Sequence, residues 1–200
     1  MVKTFCISFS MRRGKKEHEF QRSYGGEKMI LVDMNQISLA SVMMHLHMTK
    51  NTEPDENMVR HMILNSLRMY RTRFSSEYGE LVLCYDSKHY WRRDFFPQYK
   101  AGRRTKRESD GKNWDAIFEC LNTIKAEIKE NLPYKFLEVY GAEADDIIAS
   151  LVTEVAEEVL ILSGDKDFIQ LQRYPNVKQY SPITKKMVNG ENPGYYLTEH

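Results

Sequence analysis

Three short apolar runs, each followed within three residues by an aspartate, constrain the fold of this chain more than any other feature. The runs and their aspartates are 30–32 with Asp33, 81–85 with Asp86, and 159–162 with Asp165. Continuous apolar runs of this length are typical of strands buried on both faces of a mostly parallel sheet. Because ligands of open α/β sheets bind outside the carboxyl ends of the strands, we expect the three aspartates to converge in one acidic pocket.

Segments with apolar residues at helical spacing separate these strands. The alternation of strand and helix predicts the α/β class, with a central twisted, mostly parallel sheet flanked by helices. Methionines of the first two helices are interpreted as core residues. Residues 1–28 show no sustained period and are predicted to form a flexible N-terminal extension before a single core over 29–200. The predicted helices are 36–48, 56–74, 114–131 and 142–155, with a strand over 134–139 and a hairpin of 177–180 with 186–188.

The composition excludes several classes of protein. A hydrophobic content of 42% and an aromatic content of 12% argue against global disorder. The three cysteines show no close pairing, which fits a reducing compartment and neither a disulfide framework nor a zinc site. No apolar run approaches the length of a membrane span, and no apolar stretch follows the basic N-terminal residues as in a secretory signal. We therefore expect no membrane partner.

Six carboxylates are candidate metal ligands. Several carboxylates in one pocket repel each other unless cations neutralise them, and a site built only of oxygen ligands favours Mg²⁺ or Mn²⁺. A metal pocket of this kind points to phosphoryl-transfer chemistry on a nucleic acid. The candidates are Asp33, Asp86, Glu143, Asp145, Asp165 and Asp167.

The spacing of these acids predicts how they are oriented. Asp165 and Asp167 are two residues apart after a strand, and in an extended segment both would point the same way. Glu143 and Asp145 flank the apolar face of a helix, whereas Asp146 is predicted to point toward solvent. The alternative interpretation is that such acids cap helices or occupy turns at strand exits.

The segment 87–112, which we call the arch segment, is strongly basic and too long for an ordinary connector. Between Lys88 and Arg107 it contains eight basic residues and one acidic residue, Asp94. Aromatic residues are interleaved with these cations, and aromatic rings stack on bases while Lys and Arg hold phosphates. A solvated loop is the simpler interpretation. The candidate nucleic-acid contacts are Arg92, Arg93, Tyr99, Lys100, Arg103 and Arg104.

Taken in order, these residues resemble the 5′-nuclease (flap endonuclease) family. The resemblance runs from about residue 29 to the end of the chain. The motifs that carry it are Leu31-Val32-Asp33, Tyr90-Trp91-Arg92-Arg93-Asp94-Phe95, Tyr99-Lys100-Ala101-Gly102-Arg103, Tyr140-Gly141-Ala142-Glu143-Ala144-Asp145-Asp146 and Ser163-Gly164-Asp165-Lys166-Asp167-Phe168.

The resemblance implies a metal-dependent nuclease with a PIN-like core that acts on 5′ ends, as a 5′→3′ exonuclease or flap endonuclease. Such enzymes remove RNA primers and 5′ flaps during DNA replication. The cofactor would be two Mg²⁺ ions, with Mn²⁺ as a substitute. The first metal site would be formed by Asp33, Asp86, Glu143 and Asp145, and the second would include Asp165 and Asp167.

The resemblance also implies roles for the arch segment. Lys100 would contact the scissile phosphate and act in catalysis together with Asp33 and Asp86, with Arg92 or Arg103 as a supporting cation. A 5′ single strand would pass through or beside the segment. Tyr99 would stack near the terminal base. The implied substrates are DNA and RNA–DNA hybrids with 5′ ends or flaps. A sliding clamp and a single-stranded-DNA-binding protein are expected partners of a monomer in the cytoplasm of a phage-infected host.

The last residue of the sequence, His200, falls about where the family's helix–three-turn–helix region would begin. We therefore expect the second metal site to be incomplete in these 200 residues. Two alternatives stay open. A small PIN-type ribonuclease would cut single-stranded RNA without requiring a 5′ end. A truncated core would bind branched DNA without cutting it.

Overall fold

A computed structural model describes residues 28–190, apart from the side chain of Arg104. The predicted extension over residues 1–28 therefore lies, except for its last residue, outside the described residues. Six strands form one sheet in the order β3-β2-β1-β4-β5-β6. All neighbouring strands are parallel except β5 and β6, which form the predicted antiparallel hairpin. The strands are β1 Met29–Asp33, β2 Glu80–Tyr85, β3 Lys135–Glu138, β4 Val159–Leu162, β5 Val177–Ser181 and β6 Lys186–Val188.

Helices cover both faces of this sheet, as the sequence predicts. Side chains of β1 alternate between the two sides, as the pleat of a strand requires. Ile30 and Val32 pack with α1, α2 and α5, whereas Met29 and Leu31 pack with α6. The α/β prediction is thereby confirmed. The helices are α1 Met34–Thr49, α2 Glu56–Tyr78, α3 Trp91–Phe95, α4 Gly102–Ser109, α5 Trp114–Asn131 and α6 Ala144–Glu154, with a 3₁₀ helix over Lys166–Arg173.

The exposure of several methionines in α1 and α2 contradicts one prediction. Met34 is buried, but Met44, Met48, Met58 and Met69 are between 45% and 71% exposed. The stripes that face the core are filled mainly by aliphatic and aromatic side chains of the same helices, so these four methionines lie on the outer side. Their interpretation as core residues was wrong.

The arch segment contains two short helices, α3 and α4, joined by turns. Its start is fixed to the sheet edge, because Tyr90 forms an isolated parallel bridge with Gly141, just before α6. Gly141 has φ 84°, a left-handed conformation that glycine adopts without the steric cost of a Cβ. Within residues 28–190, no helix is long and apolar enough to cross a membrane.

Candidate active site

Two aspartates at neighbouring strand ends begin the site. Asp33 is the last residue of β1 and caps α1, since its Oδ1 accepts a hydrogen bond from the Gln36 N–H at 3.1 Å. Its Oδ2 accepts one from Ser163 Oγ at 3.0 Å, just after β4. Asp86 follows β2, and its Oδ1 accepts a hydrogen bond at 2.8 Å from the N–H of Ala144, the first residue of α6. The two carboxylates are thus oriented by helix N-termini and face the predicted edge of the sheet.

Four aspartates form what we call the acidic cluster: Asp33, Asp86, Asp145 and Asp165. Burial, as the largest cause, and the negative charges of Asp33, Asp165 and Asp86 together raise the pKa of Asp145 to about 7. Burial, as the largest cause, and the charges of Asp86 and Asp165 together raise the pKa of Asp33 to about 6. The pKa of Asp86 is raised mainly by burial as well. The four aspartates therefore lie within electrostatic reach of each other, as the sequence predicts.

Glu143, the N-cap of α6, is buried and differs from the acidic cluster because arch residues neutralise it. Lys100 donates a hydrogen bond from Nζ to its Oε1. Arg92 and Tyr99 both donate to its Oε2, at 3.0 and 2.8 Å. Burial lowers the pKa of Lys100, but its contact with Glu143 outweighs this and the pKa is raised overall. Lys100 has φ 59°, a backbone conformation that is uncommon for a residue other than glycine and often found at functional sites.

Asp146 does not point toward solvent, and that prediction was wrong. Both of its carboxylate oxygens accept from the Arg92 guanidinium, at 2.8 and 2.7 Å. One oxygen also accepts from the N–H of Glu143 at 3.0 Å, which completes a capping box at the start of α6. Burial opposes ionisation, yet Arg92 holds the pKa of Asp146 below its usual range. Helical spacing alone could not show this, because the partner lies in the arch segment.

Asp165 and Asp167 are not oriented as the sequence predicts. Asp165 caps the 3₁₀ helix, and its Oδ1 accepts from the Asp167 N–H at 3.1 Å. Asp167 already lies within that helix and is exposed. The two side chains therefore do not share one side of an extended segment, and the pKa values of the cluster respond to Asp165 rather than to Asp167.

A buried glutamine, absent from the predicted site, holds Asp165 in place. Gln179 on β5 is fully buried, and its Nε2 donates to the carbonyls of Ser163 and Asp165 at 2.9 and 2.7 Å. Its Oε1 accepts from Gln172 Nε2 at 3.0 Å. The only sequence signal for this role is a polar residue at a core position of a strand, between Val177 and Tyr180.

The remaining predicted nucleic-acid contacts are less tightly held. Arg93 is exposed and lies over the Tyr90 ring at 5.0 Å. Arg103 is exposed, and its positive charge acts to lower the pKa of Lys100. Nothing is described for the side chain of Arg104. The structure therefore brings Lys100, Arg92 and Tyr99 to the carboxylates and leaves Arg93 and Arg103 exposed to solvent.

The donor chemistry of this edge fits a hard divalent cation, although its geometry is not that of a closed metal cage. In the described part of the chain, no three His, Cys, Asp or Glu side chains are grouped as a ready-made metal site. Mg²⁺ commonly keeps several waters and binds through only one or two carboxylates. Mutually repelling, buried carboxylates are the environment that such a cation stabilises.

Comparison with known proteins decides the family. Residues 28–193 match the family model described as the 5′-3′ exonuclease, N-terminal resolvase-like domain. The chain belongs to this family. It is 39% identical over 173 residues to the ribonuclease H of Enterobacteria phage T4, covering 81% of this chain and 54% of that protein. It is 33% identical over 103 residues to the flap endonuclease Xni of Shewanella oneidensis, covering 50% of this chain and 35% of that protein.

Solved structures show the same fold. The bacteriophage T5 flap endonuclease in a complex with DNA and metal ions matches with a TM-score of 0.59 at 19% identity, over 80% of this chain and 57% of that one. The T5 5′-exonuclease with bound zinc matches with a TM-score of 0.58 at 19% identity, over 82% and 58%. The chain thus spans between 35% and 58% of the length of these relatives, and its own activity is a matter for proposal.

Proposed function

We propose that this chain is the catalytic part of a divalent-metal-dependent 5′ nuclease. Its substrates are RNA primers and 5′ flaps of DNA, which it hydrolyses as a 5′→3′ exonuclease or flap endonuclease. The single observation that supports this most is the acidic cluster, which brings aspartates from four chain segments together. Burial, as the largest cause, raises the pKa values of Asp33, Asp86 and Asp145, and neighbouring acids contribute to each shift. The names of the phage T4 and Shewanella relatives, ribonuclease H and flap endonuclease, agree with this proposal.

Mg²⁺ is the proposed ion, bound at two positions, with Mn²⁺ as a substitute. The acidic cluster and Glu143 would hold it, and Asp167 would contribute from its exposed position. Bound metal lowers the pKa of a coordinated water and stabilises the leaving oxygen. Asp33 and Asp86 suit this role because each retains carboxylate lone pairs beyond its hydrogen bonds to backbone and Ser163.

The arch residues supply positive charge to the substrate. Lys100 lies beside both Glu143 and the acidic cluster, so its ammonium would stabilise negative charge that develops on the phosphate oxygens. Arg92 holds the start of the arch segment on Asp146 through two parallel hydrogen bonds and keeps Lys100 near the carboxylates. Tyr99 is placed by its hydrogen bond to Glu143 and offers its ring to a terminal base.

The experiment is cleavage of a 5′-flap duplex that carries a short RNA end, in Mg²⁺ and in EDTA. We expect cutting in Mg²⁺ only. Asp145→Asn and an Asp165→Asn, Asp167→Asn double variant should lose at least about 10³-fold of the rate, because the metal ligands act as a unit. Asp115→Asn, an exposed aspartate in the first turn of α5, is the matched control and should cut normally. Undiminished cleavage by Asp145→Asn would refute the proposal.

A second candidate function is nucleic-acid binding without hydrolysis. The observation that favours it is the engagement of Glu143, a predicted metal ligand, by three arch side chains. Structure-selective binding with no turnover in any metal would support this candidate. A PIN-type ribonuclease would instead cut single-stranded RNA lacking an accessible 5′ end. The sliding clamp, the single-stranded-DNA-binding protein, the monomeric state and the host cytoplasm stay predictions.

A further inference from the structure

Tyr140 carries a large aromatic ring on the surface, just before α6. Its side chain is 75% exposed, although rings of this size are usually buried or partnered. One face of the ring is stacked on His89, with ring centroids 5.4 Å apart and an interplanar angle of 14°. Among the described residues, no further ring contacts Tyr140. The outer face of the pair is therefore open to a third planar group.

The backbone beneath this pair is fixed. The N–H groups of Gly141 and His89 both donate to the buried Ser87 hydroxyl, each at 3.3 Å. Trp91 donates its N–H to the Gly141 carbonyl at 2.8 Å. The His89 imidazole is hydrogen-bonded through Nε2 to Asp94 at 3.1 Å. Because the backbone of His89 and of Gly141, the residue after Tyr140, is hydrogen-bonded, a ligand that stacks on the two rings loses little free energy to ordering the protein.

The charge of the arch segment, which contains His89, favours one kind of ligand. Asp94, the only acidic residue between Lys88 and Arg107, is already engaged by His89. Lys88 and Arg93, which directly precede His89 and Asp94 in the sequence, are exposed. An exposed aromatic stack that includes a residue of this basic segment suits the bases and phosphates of single-stranded nucleic acid better than it suits an apolar protein surface.

We propose that Tyr140 and His89 form a base-stacking platform for one unpaired base of a single strand bound beside the acidic cluster. The platform rests on the proposed function, since it requires a nucleic acid at this edge of the sheet. Tyr140 lies three residues before Glu143, so a strand stacked there would be at the rim of the site. Its ring differs from that of Tyr99, whose hydroxyl is hydrogen-bonded to Glu143.

The test is the affinity of the chain for a short single-stranded oligonucleotide, measured by fluorescence anisotropy in EDTA. Tyr140→Ala and Tyr140→Leu should each weaken binding about tenfold, the usual effect of losing one stacked base, whereas Tyr140→Trp should bind like the parent. The dependence of affinity on salt should stay the same, because no phosphate contact is lost. Met48→Ala is the matched control, since Met48 is 71% exposed at the far end of α1.

A 2-aminopurine base scanned along the same oligonucleotide identifies the stacked position. Its emission should be quenched at one position by the parent and restored there by Tyr140→Leu. Equal affinity of all Tyr140 variants, with unchanged 2-aminopurine emission, would overturn the platform and is the result expected if this surface docks a protein. Thermal unfolding of each variant checks the fold. The proposed nuclease activity is judged separately, from Mg²⁺-dependent cleavage and its loss in Asp145→Asn.

Discussion

Two sets of carboxylates at one edge of the sheet are treated in opposite ways by the rest of the molecule. Glu143 and Asp146 are paired with cations of the arch segment through short hydrogen bonds. The four aspartates of the acidic cluster form no ion pair with any described cation, and burial raises the pKa values of Asp33, Asp86 and Asp145. The protein thus supplies its own counter-charge for one set and leaves the other set to a ligand. Substitutions in each set test whether this division is functional.

After loss of a metal ligand, removing the arch counter-charge should have the largest effect on cleavage. We expect Lys100→Asn to slow cleavage by about 10²–10³-fold, because a cation aimed at the developing phosphate charge is lost. Asparagine is chosen because it tolerates the left-handed backbone of this residue. The same variant should bind Mg²⁺ more tightly, since Glu143 no longer has an ammonium partner, and calorimetric titration measures this.

Lys106→Asn is the matched control for that variant, as an exposed lysine in α4 of the same arch segment. It should leave cleavage within about twofold and Mg²⁺ affinity unchanged, as expected for a surface charge. Equal cleavage rates and equal Mg²⁺ affinities of Lys100→Asn and Lys106→Asn would show that the pairing of Lys100 with Glu143 does not contribute to function.

Gln179 tests the set without counter-charge, because it positions Asp165. Gln179→Leu removes the two hydrogen bonds to the carbonyls of Ser163 and Asp165 and leaves both carbonyls buried without that donor. We expect a loss of about 1–3 kcal/mol in the free energy of unfolding, measured by denaturant titration. Mg²⁺ affinity should fall more than substrate affinity, because the substitution displaces a carboxylate of the acidic cluster and leaves the arch segment in place. Equal Mg²⁺ binding by parent and variant would show that Gln179 is purely structural.

The sequence predicts the part of this division that depends on local pattern. Asp33 and Asp86 follow buried apolar runs, and the pairing of parallel strands then brings their carboxylates together. The pairing of Lys100 with Glu143 and the support from Gln179 depend on how segments distant in sequence pack. No periodicity in either segment specifies these contacts. The same reason explains why the orientation predicted for Asp146 was wrong. Its position on the helix predicts exposure to solvent, but Arg92 of the arch segment binds its carboxylate.

The predicted orientation of the Asp165 and Asp167 side chains was wrong for a local reason. The pattern of two acids separated by one residue fits both an extended segment and a cap followed by a helical turn. The chain adopts the second, because Asp165 accepts the Asp167 N–H and Phe168, Ile169 and Leu171 bury the 3₁₀ helix against the core. Burial of that apolar side determines the conformation, and the alternation of acids does not.

The smallest expected effect is the pH dependence of stability in EDTA, which compares the two sets directly. The folded-state pKa values of Asp33 and Asp145, about 6 and about 7, lie above the value of 3.8 for an unperturbed aspartate. Between pH 3.8 and about pH 7, the folded protein therefore binds more protons than the unfolded chain, and the free energy of unfolding falls as the pH rises through this range. The pKa of Asp146 is lowered, so its contribution has the opposite sign and is lost only as the pH falls below about 4.

We therefore expect the midpoint of thermal unfolding in EDTA to fall by about 5 °C between pH 5 and pH 8. Asp145→Asn should flatten this decline and melt above the parent at pH 8, because an uncharged amide does not repel Asp33 and Asp86. Mg²⁺ should raise the unfolding midpoint of the parent at pH 8, because a ligand that binds only the folded state stabilises it. It should have little effect on the variant, which lacks one of the proposed metal ligands. A parent midpoint that rises from pH 5 to pH 8 in EDTA would mean that the arch cations neutralise both sets, and the contrast between them would disappear.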